Sequence, residues 1–156
     1  MINRILSLTI LIILSASINK NKFINELDKD IPYLKNLYLD IHQNPEISLM
    51  EKVTAQKLAN ELKKVGYTVT ENFGGYGIVG ILKNGDGPTI LYRTDLDALP
   101  MEEKTGLPYA SKVKTRNFDG NEVGTMHSCG HDMHMAVWAG TARALAKRKN
   151  EWSGTV

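Results

Sequence analysis

Apolar residues recur at three- and four-residue spacing at Phe23, Leu27, Ile31, Leu34, Leu37, Tyr38 and Ile41. That period predicts helix from Phe23 to about His42. Within this run Pro32 marks the first turn of the main helix, with Asp30 as its cap, because proline has no N–H to donate and fits there. Asn44-Pro45 ends it. A second helix is expected from Ser48 to Val65, with Val53, Leu58, Leu62 and Val65 on one face and Gly66 as its stop.

The pattern then turns to strands. Tyr67 to Thr70 reads as one strand. Gly77 to Leu82 and Thr89 to Arg93 read as a hairpin around the turn residues 84–88. Residues 101–124 are polar and charged and read as a loop. A last helix is expected from Asp132, placed as its cap, to about Lys149, and residues 153–156 begin a further strand. Trp138 and Tyr92 read as core aromatics. Alternating helices and strands predict an α/β fold with a mixed sheet flanked by helices.

Composition narrows the function. A chain of 156 residues fits one domain with a real core. Its formal charge of +2, with dispersed Lys and Arg, gives no footprint for nucleic acid. The short run Lys147-Arg148-Lys149 falls at a helix end, where it complements the helix dipole.

The first residues differ from the rest. Arg4 precedes the apolar run from Ile5 to Leu14, and the small residues Ser15-Ala16-Ser17 follow. This is the order of a signal peptide over residues 1–17, with cleavage after Ala16 or Ser17, and it predicts export to a periplasmic or extracellular compartment. The run falls short of the ~20 apolar residues that span a bilayer, so no stable membrane anchor is expected.

Export sharpens the meaning of Cys129, the one cysteine, because it has no partner for an internal disulfide. It lies in the stretch Met126 to His134, which also holds three of the four histidines and Asp132. Thiolate, imidazole and carboxylate are the usual ligands of divalent transition metals. Cys129 and His131 are the expected ligands. With residues 129–131 extended, both side chains would project to one side and Gly130 would let the backbone come close. Asp132 reads as a cap or orienting residue rather than a ligand. His127 and His134 read as neighbours that face or pack near the site, and His42 as a helix-end histidine.

Arg93 to Pro100, followed by Met126 to Asp132, resembles the dinuclear metallopeptidases and amidohydrolases that include aminoacylase, hippurate hydrolase and auxin-conjugate hydrolases. His42-Gln43-Asn44-Pro45-Glu46 resembles an early His-x-x-Pro-Glu motif of that branch, and the resemblance covers about residues 34–156. It implies a zinc-peptidase-like catalytic domain of which residues 23–156 form an N-terminal part, without the lid or dimerisation domain. It implies that Cys129 and His131 bind metal, the thiolate shared between two divalent ions (Zn or Mn). Asp97 matches a residue that supports a metal-binding histidine, and Asp95 stands where related branches place that histidine, so both aspartates are expected behind the ligands. The implied reaction is hydrolysis of amide bonds in N-acyl amino acids or small peptides, by proteins that are often homo-oligomeric. The general-base Glu-Glu pair of such proteins falls beyond Val156, so the chain alone is expected to be inactive.

Two other readings remain at this level. One is a complete, non-catalytic metal-binding domain. The other is a hydrolase with Cys129 as nucleophile, although two donors separated by one residue suit chelation better than a thiol-base pair.

Overall fold

The computed structural model describes residues 22–156, so the signal segment lies outside the described residues. The chain divides into two units, residues 1–33 and 34–156. In the first, residues 22–28 are helical and a turn at 29–30 follows, closed by Asp30 N–H donating to Leu27 O at 2.9 Å. Helix α1 (Ile31–Gln43) then starts, with Pro32 in its first turn as the sequence requires. No described helix is long and apolar enough to cross a membrane.

The second unit packs the part of α1 from Leu34 onward with α2 (Lys52–Lys64) and α3 (His131–Lys147). Leu37 and Ile41 of α1, Leu58 of α2, and Met135 and Ala139 of α3 form one buried cluster. Leu62, Tyr67, Leu82 and Ala142 form a second, and the Trp138 ring packs against both. Small residues on α3 permit this closeness. A Cβ at Gly140 would stand 2.8 Å from Leu34 Cδ1, well inside contact distance. Leu58 is wholly buried, and burial of that order contributes about 1.5–3 kcal/mol per side chain.

Helix α2 begins later than the pattern suggests. Leu49 sits at φ 62°, which no helix accommodates, and Glu46 takes the role of cap from a distance. Its carboxylate accepts from Val53 N–H at 3.1 Å and Thr54 N–H at 2.7 Å, meeting two of the helix's unpaired donors. Val53 is exposed, and the buried face instead uses Ala55, Leu58, Ala59 and Leu62. The small alanines, which carry little weight in a hydrophobic pattern, form part of that buried face.

The strands are short. β1 (Thr68–Thr70) pairs antiparallel with β2 (Val79–Ile81). β3 (Lys83–Asn84), β4 (Lys114–Arg116), β5 (Glu122–Gly124) and β6 (Gly154–Thr155) complete the set, with β3 on β6 and β4 on β5. Parallel bridges Ile47–Ala98 and Thr89–Thr155 add the other polarity, so the α/β class with mixed pairing holds.

The hairpin predicted around residues 84–88 does not form. Thr155 instead lies between the two segments: it pairs with Lys83 on one side, while its N–H donates to Pro88 O and its O accepts from Ile90 N–H, each at 2.9 Å, on the other. Glycines allow that insertion. Gly154 has φ 119°, and a Cβ there would overlap the Pro88 carbonyl oxygen. Tyr92 is correspondingly half exposed and its neighbour Leu91 is 87% exposed, so Tyr92 is not a core aromatic. The polar segment 101–124 is likewise more ordered than a loop. Its β4–β5 hairpin turns where Asn117 Oδ1 accepts from Asp119 N–H at 3.1 Å and Asn121 N–H at 2.9 Å.

Candidate metal centre

The site forms where the segment Thr94–Leu99 meets the start of α3. Leu99 and Met126 exchange backbone hydrogen bonds of 2.9 and 3.1 Å, which ties the aspartate segment to the cysteine segment. Ala98 N–H donates to Glu46 O at 2.8 Å and Thr125 Oγ1 to Pro45 O at 3.4 Å. The Asn-Pro-Glu run therefore braces both halves of the site from behind.

Residues 128–130 are not extended. Ser128 and Cys129 form a turn, closed by Gly130 N–H donating to His127 O at 3.2 Å, and Gly130 is left-handed at φ 78°, ψ 20°. That conformation favours glycine and lets the helix begin at His131. The pair is thus presented by a turn-to-helix junction instead of alternation along a strand. Cys129 is exposed and free.

His131 is the best-defined donor. Its Nδ1 donates to Asp97 O at 2.8 Å, and the Asp97 carboxylate lies 3.0 Å from the same nitrogen. With the proton fixed on Nδ1, Nε2 keeps its lone pair, the arrangement that orients metal-binding histidines. Asp95 Oδ2 stands 3.9 Å from Nε2, and Arg93 pairs with the same aspartate. The two aspartates thus flank His131 from opposite ring nitrogens. A cleft of about 250 Å³ opens alongside, lined by Tyr92, Arg93, Thr94, Asp95, His134 and Val137. His134 stacks near His131 with ring centroids 6.0 Å apart. A larger cavity, about 700 Å³, lies elsewhere against Glu102, Glu103 and the β4–β5 hairpin, so size does not mark the site.

Asp132 is buried in the first turn of α3 and is not its N-cap, a position held by Gly130 without side-chain help. Its Oδ1 accepts from Met133 N–H at 2.8 Å and its Oδ2 lies 2.6 Å from His42 Nδ1. His42 is therefore no solvated helix-end residue. It is buried, and its Nε2 faces Glu103 Oε1 at 3.2 Å. Burial disfavours the charged ring, but the bonds to Asp132 and Glu103 outweigh it and raise the His42 pKa above 6.5. Burial would also raise the Glu103 carboxyl, yet donors from Thr105, Ser111 and His42 hold it below 4.5. The sequence pattern offered no cue to Glu103, a buried carboxylate inside a charged run. For His42 the cue was its motif.

His127 is buried too, and neither ring nitrogen completes a well-formed hydrogen bond among the described residues, although the Asp97 backbone lies near enough to attract a ring proton. Burial, ahead of the attraction of Asp132, lowers its pKa below 6.5 and so favours the neutral imidazole. A soft thiol, an imidazole with a free Nε2, a nearby carboxylate and this orphaned ring fit a borderline divalent ion. Among the described residues no three such side chains converge as a finished ligand set.

Comparison with known proteins gives the family. Residues 91–156 match the model of Peptidase family M20/M25/M40. The chain is 40% identical over 125 residues to N-acetylcysteine deacetylase of Bacillus subtilis, covering 79% of this chain and 30% of that protein. It is 42% identical over 109 residues to hippurate hydrolase of Campylobacter jejuni, covering 69% and 26%. Its fold superposes on a Bacillus subtilis dinuclear metal-binding peptidase of that family with a TM-score of 0.69 at 38% identity, over 80% of this chain and 33% of the other. The chain belongs to this family of metallopeptidases and amidohydrolases. It spans no more than about a third of the length of these relatives.

Proposed function

We propose that this chain supplies part of the metal site of an amide-bond hydrolase acting on N-acyl amino acids or small peptides. The observation that carries this is the His131 ring, held at Nδ1 by Asp97 with Nε2 open, two residues from the exposed Cys129. The similarity to a deacetylase and a hippurate hydrolase supports small N-acyl substrates. Cys129 and His131 would hold divalent metal, zinc or manganese, and the anionic thiolate would neutralise part of its charge.

Divalent ions bound there would supply Lewis acidity toward the scissile carbonyl and an acidified water. The residues of this chain do the rest of what it contributes. Asp97 fixes the His131 tautomer, and Gly130 turns the backbone where the segment carrying Cys129 passes into the helix that begins at His131. Among the described residues no three donors converge on one point, so the chain by itself is expected to bind metal weakly and not to turn over substrate. Export, with residues 1–17 removed, is part of the same proposal and rests on Arg4, the Ile5–Leu14 run and the small residues after it. N-terminal sequencing of the exported protein would show it starting after Ala16 or Ser17; an intact Met1 would contradict this.

A chimera tests the function. The aligned stretch of this chain replaces its counterpart in the Bacillus subtilis N-acetylcysteine deacetylase. Hydrolysis of N-acetylcysteine that chelator abolishes, zinc or manganese restores and Cys129→Ser removes is the expected result. A folded chimera that hydrolyses the substrate equally well with Cys129→Ser would contradict the proposal.

A further inference from the structure

We propose that His42 is a positioning residue of this centre: its ring, clamped between the Asp132 and Glu103 carboxylates, fixes the first turn of α3 and so seats His131 on Asp97. The inference deepens the metal-site reading and rests on it.

Three distant segments meet at this ring, since His42 is 90 residues from Asp132 and 61 from Glu103 in sequence. The contact is buried, with side-chain exposures of 7% for His42, 4% for Asp132 and none for Glu103. Both ring nitrogens face carboxylate oxygens, at 2.6 and 3.2 Å. An ionised carboxylate only accepts, so both nitrogens carry hydrogens and the ring is an imidazolium.

The remaining valences are also met. Asp132 uses its second oxygen on Met133 N–H, while Glu103 accepts from Thr105 Oγ1 at 2.5 Å and from Ser111 N–H at 2.6 Å. Tyr38 and Tyr109 close the sides, with ring centroids 5.5 and 5.4 Å from His42, and His127 completes the ionisable surroundings. A saturated buried network holds one arrangement. The place it holds matters. Asp132 directly follows His131, and the helix end there has no side-chain cap from Gly130, so Asp132 and its His42 bond anchor the turn. On the other face of that turn, the His131 Nδ1 bond to Asp97 depends on the same backbone.

Long-range proton–nitrogen NMR spectra of the metal-free 156-residue chain, labelled at histidine, test this. The unaltered chain should show His131 as a single Nδ1–H tautomer and His42 protonated at both nitrogens in slightly acid solution. In His42→Gln the His131 signals should move to a tautomer mixture, with Co2+ affinity lower by about 10–100-fold. Glu103→Gln, which keeps the side-chain shape, should give a smaller change of the same kind. A singly protonated His42, or unchanged His131 signals in a variant that still melts cooperatively, overturns the proposal. A purely structural role would lower the melting temperature and leave the tautomer alone. Failure of the unaltered chain to bind Co2+ through Cys129 would count against the metal reading itself, whereas the metal-free spectra decide the role of His42.

Discussion

His131 Nδ1 lies 2.8 Å from the Asp97 carbonyl oxygen and 3.0 Å from the Asp97 carboxylate, so one aspartate grips one histidine twice. The carbonyl bond survives any side-chain change, and the carboxylate bond does not. Asp97→Ala is therefore expected to weaken metal binding by about tenfold, the lower end for loss of such an orienting partner, while folding is kept. Co2+ titration of the two proteins checks this. Equal affinities would mean that the carboxylate is only a solvated turn residue.

The core prediction is plainer. Leu58 is fully buried between α1 and α3, so Leu58→Ala should cost about 2–5 kcal/mol in denaturant unfolding. Val53→Ala, on the exposed side of the same helix, should change stability by about 0.5 kcal/mol or less. Comparable losses at both positions would contradict the helix orientation.

Two left-handed glycines separate strain from crowding. At Gly130 an added Cβ meets nothing within 4 Å, so Gly130→Ala should cost only about 1–2 kcal/mol for the left-handed backbone. At Gly154 the same change also collides with the Pro88 carbonyl, so it should cost clearly more. The order of the two melting temperatures tests the insertion of Thr155 between residues 83 and 89. A milder effect at Gly154 would argue for the simple hairpin.

Much of the fold was legible in the sequence, and the misses have physical causes. The break before α1 followed from Pro32, and α3 was expected from Asp132 to about Lys149, close to its observed span. The hairpin around residues 84–88 was misread because two apolar runs around a glycine-rich turn look alike whether they pair directly or accept a third strand between them. Val53 was misplaced because alanines 55 and 59, invisible to a pattern of large apolar residues, form part of the buried face. Cys129 and His131 were named from residue types that carry metal chemistry and Asp97 from the family resemblance, and the structure places Asp97 against His131. Glu103 was not named, because a buried carboxylate in a charged run has the same signature as a solvated one until its partners are known.

Stability should depend on pH through two histidines of opposite sign. The His42 pKa is raised, so its contribution is complete below 6.5 and fades as pH rises through the folded value. The His127 pKa is lowered, so its contribution is present above 6.5 and is lost as pH falls through the folded value. Denaturant midpoints should therefore decline on the alkaline side of 6.5, and His42→Gln should flatten that decline while leaving the acid side. A decline that persists in the variant would assign it to another group.

The central claim is that Cys129 and His131 bind one divalent ion from the turn-to-helix junction at Gly130. Absorption spectroscopy during Co2+ titration of the reduced chain reads it most directly, because a thiolate bound to cobalt gives its own charge-transfer band. The predicted result is a saturable band that Cys129→Ser abolishes, that His131→Ala weakens strongly, and that Zn2+ displaces. No such band, or a band indifferent to His131→Ala, would contradict the account.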